Sequence, residues 1–473
     1  MVVQLSHIIA SLGNSTRVIA VCCVVACVAS SPFLVRGQEK SVPTAPATGD
    51  SQPFDEGSRY QPTPIPDRVV LTWTGDPATT QTVTWRTDTS VTSPVAEVCL
   101  ASHGPQPESP VTKVEASSEE LKTNRSTARY HSVQFQDLEP STRYMYRVGD
   151  GEHWSEWNHF TTASHDPEPF SFIYFGDAQN DIRSRWSRVI RTAYESMPKA
   201  SFMIHAGDLI NRPQNDEEWG AWFEAGGWIF RTMPSIATPG NHEYTIVKDG
   251  DTMVRGITPQ WRPTFALPEN GPESLPESCY YIDYQGARII SINSNEQHEI
   301  QAKWLDQVLS ESQQRWLIVT MHHPIYSSTP SRDNPDLRET LQPVFDKHEV
   351  DIVLQGHDHT YARSRLMKGE QNVSTGRTAR DGGGTLYVVS VSGPKMYDLG
   401  YRDFMARAAE DTQLFQLIHV DQDRLRYEAR TANGTLYDAF DLVKRDGKPN
   451  ELINRIPDIA ERRRSDKKDE SGK

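Results

Sequence analysis

Five apolar runs in the middle of this chain constrain its fold more than any other feature. Each run has the length of a buried β-strand, and each stops at glycine followed by polar residues or directly at histidine. The residues that follow the five runs are Gly176-Asp177, Gly207-Asp208, Gly240-Asn241-His242, His322-His323 and Gly356-His357-Asp358-His359. This pattern favours a fold in which several strands deliver polar side chains to one crevice.

The chemistry of these strand ends is that of a metal site. In open α/β sheets the carboxyl ends of strands converge on one crevice, and glycine allows the sharp turn that exposes the next side chain. Two carboxylates, one carboxamide and three imidazoles suit Zn, Mn or Fe, and their number suits two ions that share a carboxylate. A single Gly-Asp is usually only a turn, but five such ends in order favour the metal site.

The pattern of apolar and polar residues before and around these motifs predicts two folded domains. Residues 67–163 contain short alternating strands typical of a β-sandwich, with Trp85 at a central position and Tyr144 in a corner like that of fibronectin type III domains. In residues 168–445 apolar strands alternate with helical patterns. The predicted fold class is therefore α+β/α/β, a fibronectin type III-like β-sandwich followed by an α/β sandwich of two sheets flanked by helices.

The ends of the chain differ from these domains. Residues 1–37 are predicted to be a signal peptide, because Arg17 precedes an apolar run too short to span a bilayer. We favour this over a membrane anchor or lipoprotein processing at Cys27, and predict no transmembrane segment in the mature chain. Residues 38–66 are a predicted linker, and residues 446–473 a charged, disordered tail.

Composition narrows the functional classes further. Only Cys99 and Cys279 lie outside the predicted signal peptide, too few for a disulfide scaffold or a cysteine-rich zinc site. The formal net charge of −14 argues against a nucleic-acid backbone as partner. An acidic protein can still bind phosphate where metal ions reverse the local field.

With these motifs in the same order, residues 62–445 resemble the purple acid phosphatases, a branch of the calcineurin-like metallophosphoesterases. That family carries GD, GDxxY, GNH, VxxH and GHxH blocks, which correspond here to the strand ends above. The resemblance implies that Asp208 bridges two metals and that His242 contacts the phosphate or protonates the leaving oxygen. It implies that Asp177 and His359 bind the first ion. The ligands it implies for the second ion are Asn241, His322 and His357.

Three positions depart from the family pattern. Asn211 stands where the family has the tyrosine whose ferric complex is purple, so the resemblance implies a colourless enzyme with divalent Fe, Mn or Zn. Gln179 stands where the wider superfamily often has a histidine, which leaves Gln179 and Asn211 as possible weak extra ligands. Arg332 stands where plant-type members place a substrate histidine. It is a candidate catalytic residue that could clamp phosphate or be a solvated loop residue.

The sequence therefore predicts a secreted or periplasmic, metal-dependent hydrolase of phosphate monoesters, acid phosphatase-like, that acts through a metal-bound hydroxide. The phosphate ester is the expected partner, while oligomeric state, natural substrate and native metals stay open. Two alternatives remain: a phosphodiesterase that uses the same metals, and a non-catalytic extracellular binding protein with a degenerate site. Hydrolysis of aryl mono- and diesters together with metal analysis separates the three.

Overall fold

The computed structural model describes residues 58–250, 252–373 and 383–464. The predicted signal peptide and most of the predicted linker lie outside these residues. Within the part of the chain that is described, no helix is both long and apolar enough to cross a membrane.

The N-terminal part is a β-sandwich of two four-stranded antiparallel sheets. One sheet has the order β1-β2-β6-β5 and the other β4-β3-β7-β8. The strands are β1 (Asp67–Thr72), β2 (Gln81–Thr87), β3 (Val95–Leu100), β4 (Thr112–Glu115), β5 (Ser117–Lys122), β6 (Thr127–Phe135), β7 (Arg143–Gly149) and β8 (Asn158–Thr161).

Alternating apolar residues of both sheets form the core of this sandwich. Trp85 is buried at its centre among Val83, Val98 and Val148. The hydroxyl of Tyr144 accepts a hydrogen bond from the backbone N–H of Glu139 at 2.8 Å, which fixes the corner before β7. The predicted β-sandwich with a central tryptophan and a tyrosine corner is confirmed.

The following part contains seventeen strands and five helices. The strands are β9 (Phe170–Phe175), β10 (Phe202–Ala206), β11 (Ser235–Thr238), β12 (Tyr244–Asp249), β13 (Thr252–Ile257), β14 (Tyr280–Tyr284), β15 (Ala287–Ile292), β16 (Trp316–Met321), β17 (Ile352–Gln355), β18 (Tyr361–Lys368), β19 (Gln371–Asn372), β20 (Thr385–Val389), β21 (Met405–Ala409), β22 (Leu414–Asp421), β23 (Arg424–Thr431), β24 (Leu436–Arg445) and β25 (Lys448–Asn454). The helices are α1 (Ser187–Ser196), α2 (Asp216–Gly226), α3 (Trp261–Thr264), α4 (His298–Ser310) and α5 (Pro335–His348).

These strands form two large mixed sheets and one hairpin. The first sheet has the order β11-β10-β9-β22-β23-β24-β25, in which β9, β10 and β11 run parallel. The second has the order β14-β15-β16-β17-β20-β18-β19 with β21 beside β18, and β15, β16, β17 and β20 run parallel. Within the described residues, strands β12 and β13 pair only with each other. The ligand-bearing runs thus divide between two sheets.

Apolar residues fill the space between the sheets and the space under the helices. One core joins Ile173 and Ile204 of the first sheet to Ile318 of the second. A separate core packs Leu305 of α4 and Phe345 of α5 against the outer face of the second sheet. Apolar faces of the sheets are thus covered by the other sheet or by helices. The predicted α/β sandwich of two sheets flanked by helices is confirmed.

The predicted disordered tail begins too early. Strand β25 lies within residues 446–473 and pairs antiparallel with β24, with Leu452 opposite Leu442 and packed against the core. The segment looked disordered because charged and small polar residues surround one short apolar pair, Leu452 and Ile453. Pairing with an existing sheet edge stabilises such a strand despite its composition. Residues 465–473 lie outside the described part of the chain.

Candidate metal centre

The strand ends of both sheets meet at one crevice, and the six predicted metal ligands come together there. Loops after β9, β10 and β11 bring three of them, and loops after β16 and β17 bring the other three. All six are buried or half-buried. In chain order they are Asp177, Asp208, Asn241, His322, His357 and His359.

Four of these residues hold a left-handed backbone conformation. The φ angles are 37° for Asp177, 53° for Asp208, 75° for His357 and 48° for His359. Residues other than glycine rarely adopt this region, and it costs on the order of 1–3 kcal/mol for each residue. Such strain concentrates at functional sites, so its occurrence at four of the six positions sets these loops apart from ordinary turns.

Two glycines make room for the carboxylates. A Cβ atom added to Gly240 would overlap Oδ1 of Asp208, and one added to Gly356 would overlap Oδ2 of Asp177. The glycines before the polar residues are therefore required for close approach of the backbone to the neighbouring loop, not only for the turn after the strand.

Four atoms that could bind a metal lie close together on one side of the crevice. Oδ1 of Asn241 lies 2.9 Å from Nδ1 of His357 and 3.1 Å from Nε2 of His322. The two imidazole nitrogens are 3.1 Å apart, and Nε2 of His322 lies 3.2 Å from Oδ2 of Asp208. Nδ1 of His322 donates to the carbonyl of Ala206 at 2.9 Å, which directs the lone pair of Nε2 toward the other donors.

The other side of the crevice is poorer in ligands. Nε2 of His359 lies 3.6 Å from Oδ1 of Asp177, a buried oxygen for which the described residues offer no hydrogen-bond partner. Nδ1 of His359 donates to the carbonyl of Lys395 at 2.9 Å, which again turns Nε2 into the crevice. Nε2 of Gln179 donates to Oδ2 of Asp208 at 2.6 Å, while its buried Oε1 has no hydrogen-bond partner in the described part of the chain. Gln179 thus reaches this side.

Asn211 is placed differently from Gln179. Its carbonyl accepts a hydrogen bond from Nδ1 of His242 at 2.6 Å, and its N–H donates to Glu218 at 2.7 Å. The described contacts of Asn211 thus involve its backbone and fix the loop after β10. They support His242 rather than the donor cluster.

The charges of the buried metal-ligand residues favour a positive charge in the crevice. Burial raises the pKa of Asp177 well above its usual range, and the nearby charge of Asp208 adds to this. Burial lowers the pKa of His322, but the charge and hydrogen bond of Asp208, together with the charge of Asp177 and the hydrogen bond to Ala206, outweigh burial and raise the pKa to about 9. A proton on His322 thus balances Asp208 in the same place where a cation would.

A pair of metal ions fits this donor set. The side-chain oxygen and nitrogen atoms of the cluster lie about 3 Å apart, a spacing that requires a proton or a cation between them. The ligand atoms of Asp177, Asp208 and His322 lie within 4.8 Å of one another, and so do those of His322, His323 and His357. Mixed carboxylate, amide and imidazole donors suit divalent Zn, Mn or Fe.

The two predicted catalytic residues lie beside the donors. Nε2 of His242 is 3.9 Å from Oδ2 of Asp208, and its backbone N–H donates to Oδ1 of the same carboxylate at 2.8 Å. Nη2 of Arg332 contacts Nε2 of His357, and its Nε lies 3.4 Å from Oδ1 of Asp358. Arg332 therefore lies at the crevice, in contact with His357 and near Asp358.

Two supporting residues were missed in the sequence, although both stand within its motifs. The buried carboxylate of Glu243 accepts backbone hydrogen bonds from Asp208 and Leu209, each at 2.8 Å, and from Gly240 at 2.7 Å. The ring centroid of His323 lies 4.3 Å from that of His357. Their motif positions were the available signal, but supporting contacts cannot be inferred from local spacing alone.

Comparison with known proteins agrees with this geometry. Residues 66–162 match the profile "Purple acid Phosphatase, N-terminal domain", and residues 170–361 match "Calcineurin-like phosphoesterase". The chain is 30% identical over 265 residues to Fe(3+)-Zn(2+) purple acid phosphatase 12 of Arabidopsis thaliana, which covers 52% of this chain and 54% of that protein. It is also 30% identical over 259 residues to purple acid phosphatase 1 of Ipomoea batatas, covering 52% and 54%.

Solved structures show the same fold. A purple acid phosphatase from yellow lupin (Lupinus luteus) seeds superposes with a TM-score of 0.66 at 20% identity, covering 80% of this chain and 74% of that one. PhoD superposes with a TM-score of 0.59 at 13% identity, covering 85% and 94%. The chain spans about half the length of the curated relatives it matches. With its two matched domains in the same order, it belongs to the purple acid phosphatase-like proteins of the calcineurin-like metallophosphoesterase superfamily.

Proposed function

We propose that this protein is an exported hydrolase of phosphate monoesters that works with two divalent metal ions. The observation that carries the proposal is the convergence of possible metal ligands in the crevice, where the side-chain oxygen of Asn241 and one ring nitrogen each of His322 and His357 lie within about 3 Å of one another. Such an arrangement is costly in an apolar interior unless cations neutralise it.

The donors divide naturally between two ions. Asp208 lies between both groups and would bridge the metals. Asp177 and His359 would hold the first ion, with Gln179 as a weak extra ligand. The second ion would be held by Asn241, His322 and His357. When bound, the metals supply Lewis acidity to the phosphoryl oxygens and lower the pKa of a bound water.

His242 is suited to move a proton at the leaving oxygen. The hydrogen bond from Nδ1 to the carbonyl of Asn211 sets its tautomer and directs Nε2 toward the crevice. About a quarter of the side chain is exposed, 27%, so Nε2 stays accessible to an ester. We therefore assign His242, in the imidazolium form that carries a proton on Nε2 as well as on Nδ1, as the general acid that protonates the departing alkoxide and is left neutral.

Arg332 is suited to bind the phosphoryl group itself. Its guanidinium lies next to a metal ligand and keeps 30% of its side-chain surface exposed. A guanidinium pairs with two oxygens of a phosphate at once. A monoester dianion offers more charge and more free oxygens than a diester, so Arg332 favours monoesters.

The metals are proposed to be divalent and the protein colourless. The name of the Arabidopsis relative specifies an Fe(3+)-Zn(2+) centre. In this chain Asn211 stands at the position of the family tyrosine, and an amide cannot give a ferric charge-transfer band. Divalent Fe, Mn or Zn remain as candidates.

Export rests on the sequence of residues 1–37, which we propose to be a cleaved signal peptide leading to the periplasm or the medium. N-terminal sequencing of the protein from culture fractions tests this. A full-length N-terminus in the cytoplasmic fraction would contradict export and leave the proposed chemistry untouched.

One experiment separates the proposed function from its alternatives. Purified protein is expected to retain two metal ions after dialysis and to hydrolyse para-nitrophenyl phosphate faster than its bis-ester. Asp208→Asn is expected to lose both metals and turnover, because the bridging charge is gone. Asp306→Asn, at an ion pair with Lys347, serves as the matched control and keeps both.

Each alternative gives a different result in the same assay. Faster hydrolysis of the bis-ester would indicate a phosphodiesterase. Absence of both metal and turnover in the wild-type protein would support a binding protein and refute the proposal.

A further inference from the structure

Asp358 is a buried carboxylate that the proposed mechanism does not use. It stands between the two histidines of the loop after β17 and has no exposed surface. Its Oδ2 accepts hydrogen bonds from the hydroxyl of Ser327 at 2.8 Å, the N–H of Ser328 at 2.7 Å and the hydroxyl of Ser328 at 3.2 Å. The carboxylate therefore ties the loop after β16 to the loop that carries His357 and His359.

The second oxygen of Asp358 faces a different group. Oδ1 lies 3.4 Å from Nε of Arg332, at the far end of the same loop. The guanidinium carbon of Arg332 also lies 5.0 Å from the ring centroid of Tyr397. Nη1 has no hydrogen-bond partner among the residues that the structure describes, so it is available to a ligand.

Metal binding by His357 would change which groups can accept a hydrogen bond from Arg332. A neutral imidazole carries one proton. If His357 gives Nδ1 to a metal, Nε2 must carry the proton and can no longer accept a hydrogen bond from Arg332. The remaining acceptors are the carboxylate of Asp358 and the carbonyl of His357, at 3.4 Å each. Only the carboxylate is charged, so it is the stronger of the two.

We infer that Asp358 is a positioning residue that holds Arg332 for phosphate binding. The inference rests on the proposed function, because it requires phosphate in the crevice. Asp358 does not touch the ester. It lowers the cost of ordering a long, flexible side chain and leaves Nη1 directed at the ligand.

The two oxygens of Asp358 allow a selective substitution. In Asp358→Asn the amide oxygen can take the place of Oδ2 and keep the hydrogen bonds from Ser327 and Ser328. The amide NH₂ then faces Nε of Arg332, where two donors oppose each other. The variant therefore removes the arginine anchor and keeps the loop. Ser328→Ala is the matched control, since it removes a bond to Oδ2 and leaves Oδ1 unchanged.

Calorimetric titration of metal-loaded, full-length protein with inorganic phosphate provides the measurement, alongside metal content. Asp358→Asn is expected to weaken phosphate binding about tenfold, the scale of one charge-assisted hydrogen bond, with metal content unchanged. In the Arg332→Ala background the same substitution should have no further effect, because positioning acts through the arginine. Ser328→Ala should bind phosphate as the wild type does.

Contrary outcomes are distinct from failure of the proposed function. Unchanged phosphate affinity in Asp358→Asn, an equal loss in Ser328→Ala, or an additive loss in the Arg332→Ala background would each overturn the inference. Metal loss in Asp358→Asn would also overturn it, by showing that Asp358 supports the ligands instead. A wild-type protein without metal or turnover would refute the proposed function itself.

Discussion

Asp216→Asn is expected to destabilise the protein strongly, because Asp216 neutralises two buried arginines between the β-sandwich and α2. Its Oδ1 lies 2.7 Å from Nη1 of Arg68, and its Oδ2 lies 3.1 Å from Nη1 of Arg86. The side chains of all three residues are at most 4% exposed. The substitution keeps the volume of the side chain and removes its charge.

The size of the destabilisation depends on which partners each arginine retains after the substitution. Arg86 keeps a second carboxylate, Asp67, at 2.6 Å. Among the described residues, Arg68 keeps only neutral partners, the hydroxyl of Tyr130 at 3.1 Å and the carbonyl of residue 216 at 3.0 Å. One buried guanidinium therefore loses its counter-ion, which costs about 3–5 kcal/mol in comparable cases. At a urea dependence of about 3 kcal/mol/M, the unfolding midpoint should fall by roughly 1 M or more.

Urea unfolding followed by tryptophan fluorescence measures this change. The matched control is Glu97→Gln, which removes the charge of the carboxylate that accepts a 2.8 Å hydrogen bond from Nε of Arg147 within the sandwich. Both partners there are partly exposed, 29% for Arg147 and 18% for Glu97, so the expected loss is below about 1 kcal/mol. Equal midpoint shifts for the two variants would refute the reasoning, since burial would then make no difference to the ion pair.

Three further predictions concern the core and the crevice. Burial lowers the pKa of His205 to about 3, whereas the histidine of the unfolded chain has a pKa of about 6.5. As the pH falls below about 6.5, the unfolded chain binds a proton and the folded protein does not. The free energy of unfolding therefore falls, by about 2 kcal/mol at about pH 5. In His205→Phe, the difference between urea midpoints at neutral and acidic pH should therefore shrink; an unchanged difference would contradict this. Gly240→Ala places a Cβ 2.5 Å from the backbone nitrogen of Asp208 and should lower the metal content. Gly383→Ala, whose added Cβ meets no atom of the described residues closer than 3.7 Å, should leave the metal content unchanged. The visible spectrum of purified protein should lack a purple band, since Asn211 provides no tyrosinate; an intense band would refute the divalent assignment.

The sequence predicted the donor atoms of the crevice better than their arrangement. Apolar runs that stop at glycine and a polar residue are local signals, and each of the five was sufficient to place one strand end. The pairing of strands is not local. β9 lies beside β22, with Phe170 opposite Val420, and this pairing joins positions far apart in the chain. The sequence therefore predicted one crevice and a domain of two sheets, but not how the five strand ends divide between those sheets.

The residues that support the metal ligands were not predicted from the sequence, and there is one physical reason for this. A metal ligand must be one of a few atom types at a strand end, so the choice of residue is narrow and the pattern is visible. A residue that orients a ligand needs only to offer an acceptor or a charge at the right distance, and many residue types at many positions can do so. Asp358 could be named from its motif, but its partner Arg332 lies 26 positions earlier in the chain. Asp216 and Arg68 are 148 positions apart and meet only because the sandwich packs against α2. Local pattern therefore identifies which atoms bind, whereas the contacts that hold those atoms in place follow from the tertiary fold.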